Sequence, residues 1–262
     1  MAANSNPFAA TGTWVRCALH AHTTRSDGEL SPEELVSHYE RAGFDVLAIT
    51  DHWVRTEARS TDRLLVVPSS ELSYVLPGEA DGHLLAFGID EDPLEFEVYN
   101  AGCELEVGRG LSTVHWDDLL ERGGRYFGIA TDDSHHADFD SDFAWVWARV
   151  AERSRAAVLD ALATGSFYSS TGPLVHELRV EDGSVEVLCS PCQRVTLCTG
   201  RRRGSSVSAG RFGYRYAGEI LSEANEEEIT HARLEWPAGS LYGRLELVDS
   251  YGRKAWTNPL WT

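Results

Sequence analysis

The sequence predicts an α/β fold, a β/α barrel followed by a small antiparallel β region, and three observations support this prediction. In the N-terminal two thirds, short apolar runs alternate with helix patterns, which is typical of β/α units around a largely parallel sheet. Most residues with metal-ligand chemistry directly follow those runs, and the carboxyl ends of barrel strands converge on one face. With 262 residues, 42% of them hydrophobic, the chain can bury one barrel-sized core.

The first β/α unit is well marked. Residues 15–19 form the first predicted strand, which ends at His20. The sequence Ser31-Pro32-Glu33-Glu34 then predicts a helix start, with serine as N-cap, proline at the first helical position and glutamate completing a capping box. The inward face of this helix is apolar and consists of Leu35, Val36, Tyr39 and Ala42. Gly43 ends the helix.

Further apolar runs predict the remaining barrel strands. They lie at residues 45–49, 64–67, 84–87 and 126–130. Polar residues with ligand chemistry flank each of them: Asp51, His52, Glu71, His83, Asp132, Asp133, His135 and His136. Residues 14–173 are therefore predicted to form a metal-binding barrel. Beyond residue 173, short alternating runs separated by glycine and charged turns predict a small β-rich domain over 174–262.

Composition and charge limit which binding partners and which cellular compartment we expect. A formal charge of −18 argues against nucleic acid or an anionic membrane as partner, because both require a basic surface. We expect a small-molecule substrate. The sequence leaves open whether the protein forms a homo-oligomer. The N-terminal residues lack the pattern of a signal peptide, and five thinly spread cysteines fit reduced thiols, so we expect a cytoplasmic protein.

The motif that points most specifically to a chemical function is Leu19-His20-Ala21-His22-Thr23. Two histidines two residues apart on an extended backbone point to the same side. Asp27 and the pair Asp51-His52 can close around the same point. Imidazole nitrogen and carboxylate oxygen are the ligands of hydrolytic zinc, manganese or iron sites. The sequence therefore predicts a metal-dependent hydrolase.

With these motifs the chain resembles the PHP (polymerase and histidinol phosphatase) superfamily and, within it, the carbaryl-hydrolase-like subgroup. The resemblance spans residues 14–262 and rests on an ordered set of motifs: LHAHT at 19–23, SDG at 26–28, ITDH at 49–52, Glu71, His83, ATDDSHH at 130–136, FYSSTGP at 167–173 and AWTNP at 255–259. It implies a distorted β/α barrel, complete or abridged, that carries two or three divalent metal ions (Zn, Mn or Fe).

The resemblance also implies roles for single residues. His20, His22 and Asp133 would hold one metal, and His135 would be a ligand from the late Asp-x-His pair. Glu71 would be the bridging carboxylate. The set that would hold or surround the other metals is Asp27, His52 and His83. Both Glu71 and Asp133 would be catalytic, Asp133 by taking a proton from the nucleophile while it remains a ligand.

One departure from the family pattern concerns the segment after residue 88. PHP chains usually carry a further helix, strand and histidine there, and residues 89–95 leave no room for them. His115 is the nearest spare histidine, but it stands at a predicted helix start. We therefore expect two metals rather than three.

The sequence is compatible with three functions, and we expect a phosphoesterase first. A phosphate substrate would need arginine at the metal face, which Arg25 and Arg55 could supply. A carbamate or carboxyl ester would need an aromatic cleft, which Trp53 and Tyr168 could supply. The third alternative is a PHP scaffold that metal stabilises but that has no catalytic activity.

Overall fold

The computed structural model describes residues 6–76, 80–88, 95–200, 203–210, 213–225 and 227–262, which group into two compact units. The first unit consists of Gly12–Ser112 and Ile129–Ala163. The second consists of Thr113–Gly128, Thr164–Thr262 and the N-terminal residues up to Thr11. Each unit therefore draws on separate stretches of the chain.

The first unit contains most of the helices. Its elements are β1 (Thr13–Ala18), α1 (Pro32–Arg41), β2 (Val46–Ile49), β3 (Leu65–Leu76), β4 (Ala80–Phe87), β5 (Glu95–Asn100) and α2 (Ala101–Val107). After α3 (Thr113–Glu121), which belongs to the second unit, come β6 (Phe127–Thr131), α4 (Ala137–Asp140), β7 (Trp145–Val150) and α5 (Arg155–Thr164). The last three residues of β6 and all of α5 except Thr164 belong to the first unit.

The main sheet of the first unit is mixed and has the strand order β7-β1-β2-β3-β4. Strands β1, β2 and β3 run parallel, whereas β7 and β4 lie antiparallel to their neighbours β1 and β3. Strand β5 pairs with β6 in a separate two-stranded sheet. The ends of β1 and β2 thus lie side by side, which brings the segments after them together.

The prediction of a β/α barrel is wrong. Strands cover far more residues than helices, and no pairing among the described strands of this unit closes its sheet into a barrel. Parallel neighbours in a barrel require helical crossovers, but residues 50–64 between β2 and β3 contain no helix. Strand β3 also continues through Pro68-Ser69-Ser70-Glu71, beyond the predicted strand end at residue 67. Pairing with β4 overrides the weak local β-propensity of proline and serine there.

The predicted start of helix α1 is confirmed. The Ser31 side chain accepts a hydrogen bond from the Glu34 backbone, and the Glu34 carboxylate accepts one from the Ser31 backbone. Its buried face, including Leu35 and Tyr39, joins an apolar cluster with residues of β1 and β2. This packing fixes the strand ends from which the site is built.

The second unit is built almost wholly of antiparallel strands. They are β8 (Phe167–Ser170), β9 (Val175–Glu181), β10 (Ser184–Cys192), β11 (Arg194–Cys198), β12 (Gly204–Ser208), β13 (Arg215–Tyr216), β14 (Gly218–Asn225), β15 (Glu228–Glu235), β16 (Tyr242–Val248), β17 (Lys254–Thr257) and β18 (Leu260–Trp261). One sheet has the order β14-β15-β10-β9, and another path runs β13-β12-β11-β16-β17-β8. The division expected at residue 173 stays a prediction, and here residues 164–173 group with the C-terminal strands. No described helix is long and apolar enough to cross a membrane.

A buried ion pair in the second unit predicts a large stability effect. Arg244 of β16 is 2% exposed, and its Nε and Nη2 donate to the Asp117 carboxylate at 2.8 and 2.6 Å. We expect Asp117→Ala to lower the free energy of unfolding by about 3 kcal/mol, because it leaves a buried guanidinium without a counter-ion. Urea denaturation measures this loss. Asp118→Ala, which removes an exposed carboxylate from the same helix, is the control, and equal stability of the two variants would contradict the prediction.

Candidate metal centre

The segment after β1 is held beside the loop after β6. Ala21 and Ser134 form an isolated parallel bridge, and the His22 amide donates to the Ser134 carbonyl at 2.8 Å. The Ser134 amide lies 3.5 Å from the His20 carbonyl. These backbone contacts place His20 and His22 next to Asp133, although more than a hundred residues separate them along the chain.

Asp51 holds the loop that carries Asp27. It accepts hydrogen bonds from the Thr23 amide at 2.6 Å, the Thr23 hydroxyl at 2.7 Å and the Ser26 hydroxyl at 2.8 Å. Burial alone would raise the pKa of Asp51, but these bonds and one from Thr56 lower it. This carboxylate therefore orients the loop that carries Asp27.

Gly28 completes this loop because nothing larger fits there. A Cβ at this position would lie 2.3 Å from the carbonyl carbon and oxygen of His22. The Gly28 amide donates to the Thr23 carbonyl at 3.0 Å, which closes the turn. The close approach of Gly28 to His22 keeps Asp27 beside the histidines.

The first cluster consists of His20, His22, Glu71 and Asp133. The Nε2 atoms of the two histidines lie 3.1 Å apart. Glu71 Oε2 lies 3.1 Å from Nε2 of His20 and 3.2 Å from that of His22. Asp133 Oδ1 lies 3.1 and 3.3 Å from the same two nitrogens. Both histidines and Glu71 are about 1% exposed, so water is excluded from most of the cluster.

These distances fit a metal ion. Four ligands at about 2.0–2.1 Å from a tetrahedral Zn²⁺ stand about 3.3–3.4 Å from one another. The five distances above span 3.1 to 3.3 Å. Two imidazole nitrogens that face each other avoid lone-pair repulsion when a proton or a metal ion lies between them. The donor set, two nitrogens and two carboxylate oxygens, suits zinc, manganese or iron.

Neighbouring groups of opposite charge shift the pKa values of the residues in this cluster. Burial alone would lower the pKa of His20, but the carboxylates of Asp133, Glu97 and Glu71 raise it well above its usual value. The pKa of His22 is raised in the same way, against the effect of burial. For Glu71 and Asp133 burial would raise the pKa, yet the neighbouring imidazoles lower it.

The second cluster consists of His22, Asp27, His52 and His135. Asp27 Oδ1 lies 3.4 Å from His22 Nδ1 and 3.6 Å from His135 Nε2, and Asp27 Oδ2 lies 3.5 Å from His52 Nε2. His22 therefore faces the first cluster with Nε2 and the second with Nδ1. A neutral imidazole has one lone pair, so His22 ligates one ion and donates its other N–H. The second position is then left with three ligands, which is typical of a catalytic site.

His83 lies beside the remaining oxygen of Glu71. Its Nδ1 is 2.5 Å from Glu71 Oε1, an atom that is buried and accepts no hydrogen bond of good geometry. The structure thus brings together all eight residues that the sequence nominated as ligands. The segment after residue 88, where the family pattern adds a histidine, lies outside the described residues between 88 and 95.

Comparison with known proteins finds similarity among solved structures. No protein-family model matches the chain, and no curated protein does. Among solved structures, a two-domain protein from Bacteroides vulgatus that contains a predicted PHP-like metal-dependent phosphoesterase is similar, with a TM-score of 0.44 and 14% sequence identity over 91% of each chain. The function proposed below rests on the side chains of the centre itself.

Two residues of the centre adopt left-handed backbone conformations that are rare for non-glycine residues. Asp133 has φ 54° and Trp53 has φ 58°. The Trp53 amide donates to the Glu71 carbonyl at 2.9 Å, and the bridge between His52 and Glu71 holds the same turn. Such strain persists only where surrounding contacts enforce it, and it concentrates at functional sites.

The residues nominated for substrate contact are distributed unevenly. Arg25, Arg55 and Trp53 are exposed in the first unit, and Arg55 pairs with Glu57 at 2.5 Å. Tyr168 is buried in the second unit, where its ring packs against Phe8. The spare histidine, His115, is also in the second unit, exposed on α3.

Polar residues of β5 and β6 that the sequence did not single out lie around the first cluster. Glu97 contacts His20, Asn100 contacts Asp133, and the Thr131 hydroxyl donates to Glu97. A glutamate beside the buried Val98 within an apolar-polar alternation was the one available signal. Asp132 accepts hydrogen bonds from the Tyr39 hydroxyl and from three backbone amides, and burial raises its pKa to about 6.

Proposed function

We propose that the chain is a metal-dependent hydrolase whose substrate is a phosphoester. The observation that carries this proposal is the convergence of seven imidazole and carboxylate groups in two adjoining clusters, with His83 beside Glu71 as an eighth group. The first cluster is almost fully buried. His20, His22, Glu71 and Asp133 would hold one ion, and Asp27, His52 and His135 the other. When bound, such ions lower the pKa of a water molecule and polarise the ester.

The protein's own groups have separate tasks in this proposal. Glu71, with one oxygen toward the first cluster and the other toward His83, holds both in place. Asp133 Oδ2 accepts a hydrogen bond from Asn100 at 3.1 Å, which orients the carboxylate so that Oδ1 faces the histidines. Asp133 can then take the proton of the attacking water. Arg25, exposed and without an ion pair to any described carboxylate, would bind the phosphate.

A second candidate, hydrolysis of an aryl carbamate or carboxyl ester, is favoured by Trp53. Its side chain is 66% exposed directly after His52, and its backbone is held in the left-handed region. An exposed indole beside a metal ligand offers an apolar face to an aryl group. This is the activity that the carbaryl-hydrolase-like resemblance implies.

Composition supports proposals on partners and compartment. The formal charge of −18 favours a small-molecule substrate over nucleic acid or an anionic membrane. The free cysteines Cys17, Cys103, Cys189, Cys192 and Cys198 favour a reducing compartment such as the cytoplasm.

Parallel assays of the zinc- or manganese-loaded protein test the function. We expect turnover of p-nitrophenyl phosphate and little turnover of 1-naphthyl methylcarbamate. Arg25→Gln should raise KM for the phosphate, whereas Arg109→Gln, an exposed control, should not. Turnover of the carbamate alone, lost in Trp53→Ala, would replace the first candidate by the second. No turnover of either substrate, together with a metal-dependent melting temperature, would favour the non-catalytic scaffold.

A further inference from the structure

One carboxylate contacts a histidine of the first cluster from the side opposite the cluster. Glu97 lies on β5, and its Oε1 is 3.0 Å from Nδ1 of His20, while Nε2 of His20 faces Glu71 and Asp133. The same oxygen accepts a hydrogen bond from the Thr131 hydroxyl. With 27% of the Glu97 side chain exposed, the contact is largely shielded from water.

This contact fixes the role of each His20 nitrogen. A neutral imidazole carries one N–H and one lone pair, and an ionised carboxylate can only accept. The N–H is therefore on Nδ1, donating to Glu97, and the lone pair on Nε2 points to the cluster. A carboxylate acceptor also makes the opposite nitrogen a stronger ligand.

Asn100 links Glu97 to the other side of the cluster. Its Nδ2 lies 3.4 Å from Glu97 Oε2 and donates to Asp133 Oδ2 at 3.1 Å. Its Oδ1 accepts the Cys103 amide at 2.8 Å as the N-cap of α2, which fixes the direction of the amide group. The C-terminal end of β5 thus orients two ligands, His20 and Asp133, from behind.

We infer that Glu97 is a positioning residue, which holds His20 in the Nδ1–H tautomer and thereby sets the affinity of the first cluster for a divalent ion. Thr131 in turn holds the Glu97 carboxylate. The inference rests on the proposed function, because it assumes that the first cluster binds metal. Glu97 itself acts through His20 and does not touch the ion.

Zinc titration of the full chain against a competing chelator tests this. We expect Glu97→Ala to weaken the tighter zinc site about 10- to 100-fold without changing the number of ions bound. Glu97→Gln should lose less, because an amide oxygen can still accept the Nδ1 proton but carries no charge. Thr131→Val should give a smaller loss in the same direction. Glu106→Gln, an exposed glutamate on α2, is the matched control and should bind zinc as the wild type does.

A second measurement reads the tautomer directly. In ¹⁵N-labelled, zinc-loaded protein, the His20 ring, assigned by the signal that His20→Asn removes, should show a protonated Nδ1. In Glu97→Ala the ring should lose this fixed pattern. Unchanged zinc affinity and unchanged ring signals in Glu97→Ala would overturn the inference. So would the loss of one zinc equivalent in Glu97→Gln, since Glu97 would then be a ligand itself.

Failure of the proposed function and failure of the inference on Glu97 give different experimental results. If the wild type binds zinc and hydrolyses neither substrate, the hydrolase proposal fails while the effect of Glu97 on affinity still stands. If the wild type hydrolyses a substrate and Glu97→Ala binds zinc normally, the inference fails while the hydrolase stands. A wild type that binds no zinc, manganese or iron overturns both.

Discussion

His22→Ala is expected to lower kcat/KM of the metal-loaded protein by about 10³-fold or more, because an active-site metal supplies several kcal/mol of transition-state stabilisation and about 4 kcal/mol corresponds to that factor. Among the described residues, His22 is the one that both clusters share, with Nε2 in the first and Nδ1 in the second. Its removal takes a ligand from the first position and the N–H that faces Asp27 from the second. Steady-state kinetics and metal analysis of the purified variant measure the two losses.

Two further histidine variants make this result specific. His52→Ala removes a residue of the second cluster alone and should retain the metal of the first. His176→Ala, which changes an exposed histidine on β9, should keep full activity and full metal content. A His22→Ala protein with wild-type activity would exclude the metal mechanism.

Removal of the metal by a chelator should lower the free energy of unfolding by about 3–4 kcal/mol when free metal had exceeded its Kd by 100- to 1,000-fold. For a chain of this size that corresponds to a fall in Tm of about 10 °C. The physical reason is that the buried Glu71 carboxylate and the partly buried Asp133 carboxylate lose a counter-charge. Thermal unfolding followed by circular dichroism, with and without chelator, measures the difference.

The difference should grow as the pH rises above about 6.5. In the metal-free protein the pKa values of His20 and His22 are raised, so their protonation stabilises the fold at low pH and is lost as the pH passes their folded-state pKa. Glu71 and Asp133, with lowered pKa values, stay ionised over this range. Asp132, with a pKa of about 6, titrates mainly below it. A chelated protein whose Tm is constant up to pH 9 would contradict this expectation.

Local sequence signals were sufficient for parts of the fold. The capping box at Ser31 and Glu34 depends on residues three apart, and the structure shows both of its hydrogen bonds. The antiparallel return of β3 into β4 and the pairing of β7 with β1 depend instead on long-range partners. Pro68 and the serines after it favour a loop on local grounds, so only the partner strand could reveal that β3 continues. The barrel prediction was wrong for this reason.

The candidate ligands were easier to find than the fold that carries them. Most of them are histidine and acidic residues that directly precede or follow predicted strands. Glu97 was hidden because a glutamate in a strand usually faces solvent. Its contact with His20 depends on how β5 lies beside the end of β1, which no local pattern encodes.

The two stretches that make up the first unit each contribute ligands. His20 to His83 come from Gly12–Ser112, and Asp133 and His135 come from Ile129–Ala163, with an excursion into the second unit between them. A bound ion would thus act as a reversible cross-link that closes a long loop, in the manner of a disulfide but removable by chelation. A protease nick within 113–128 would leave two fragments whose attachment depends on metal as well as on the sheet.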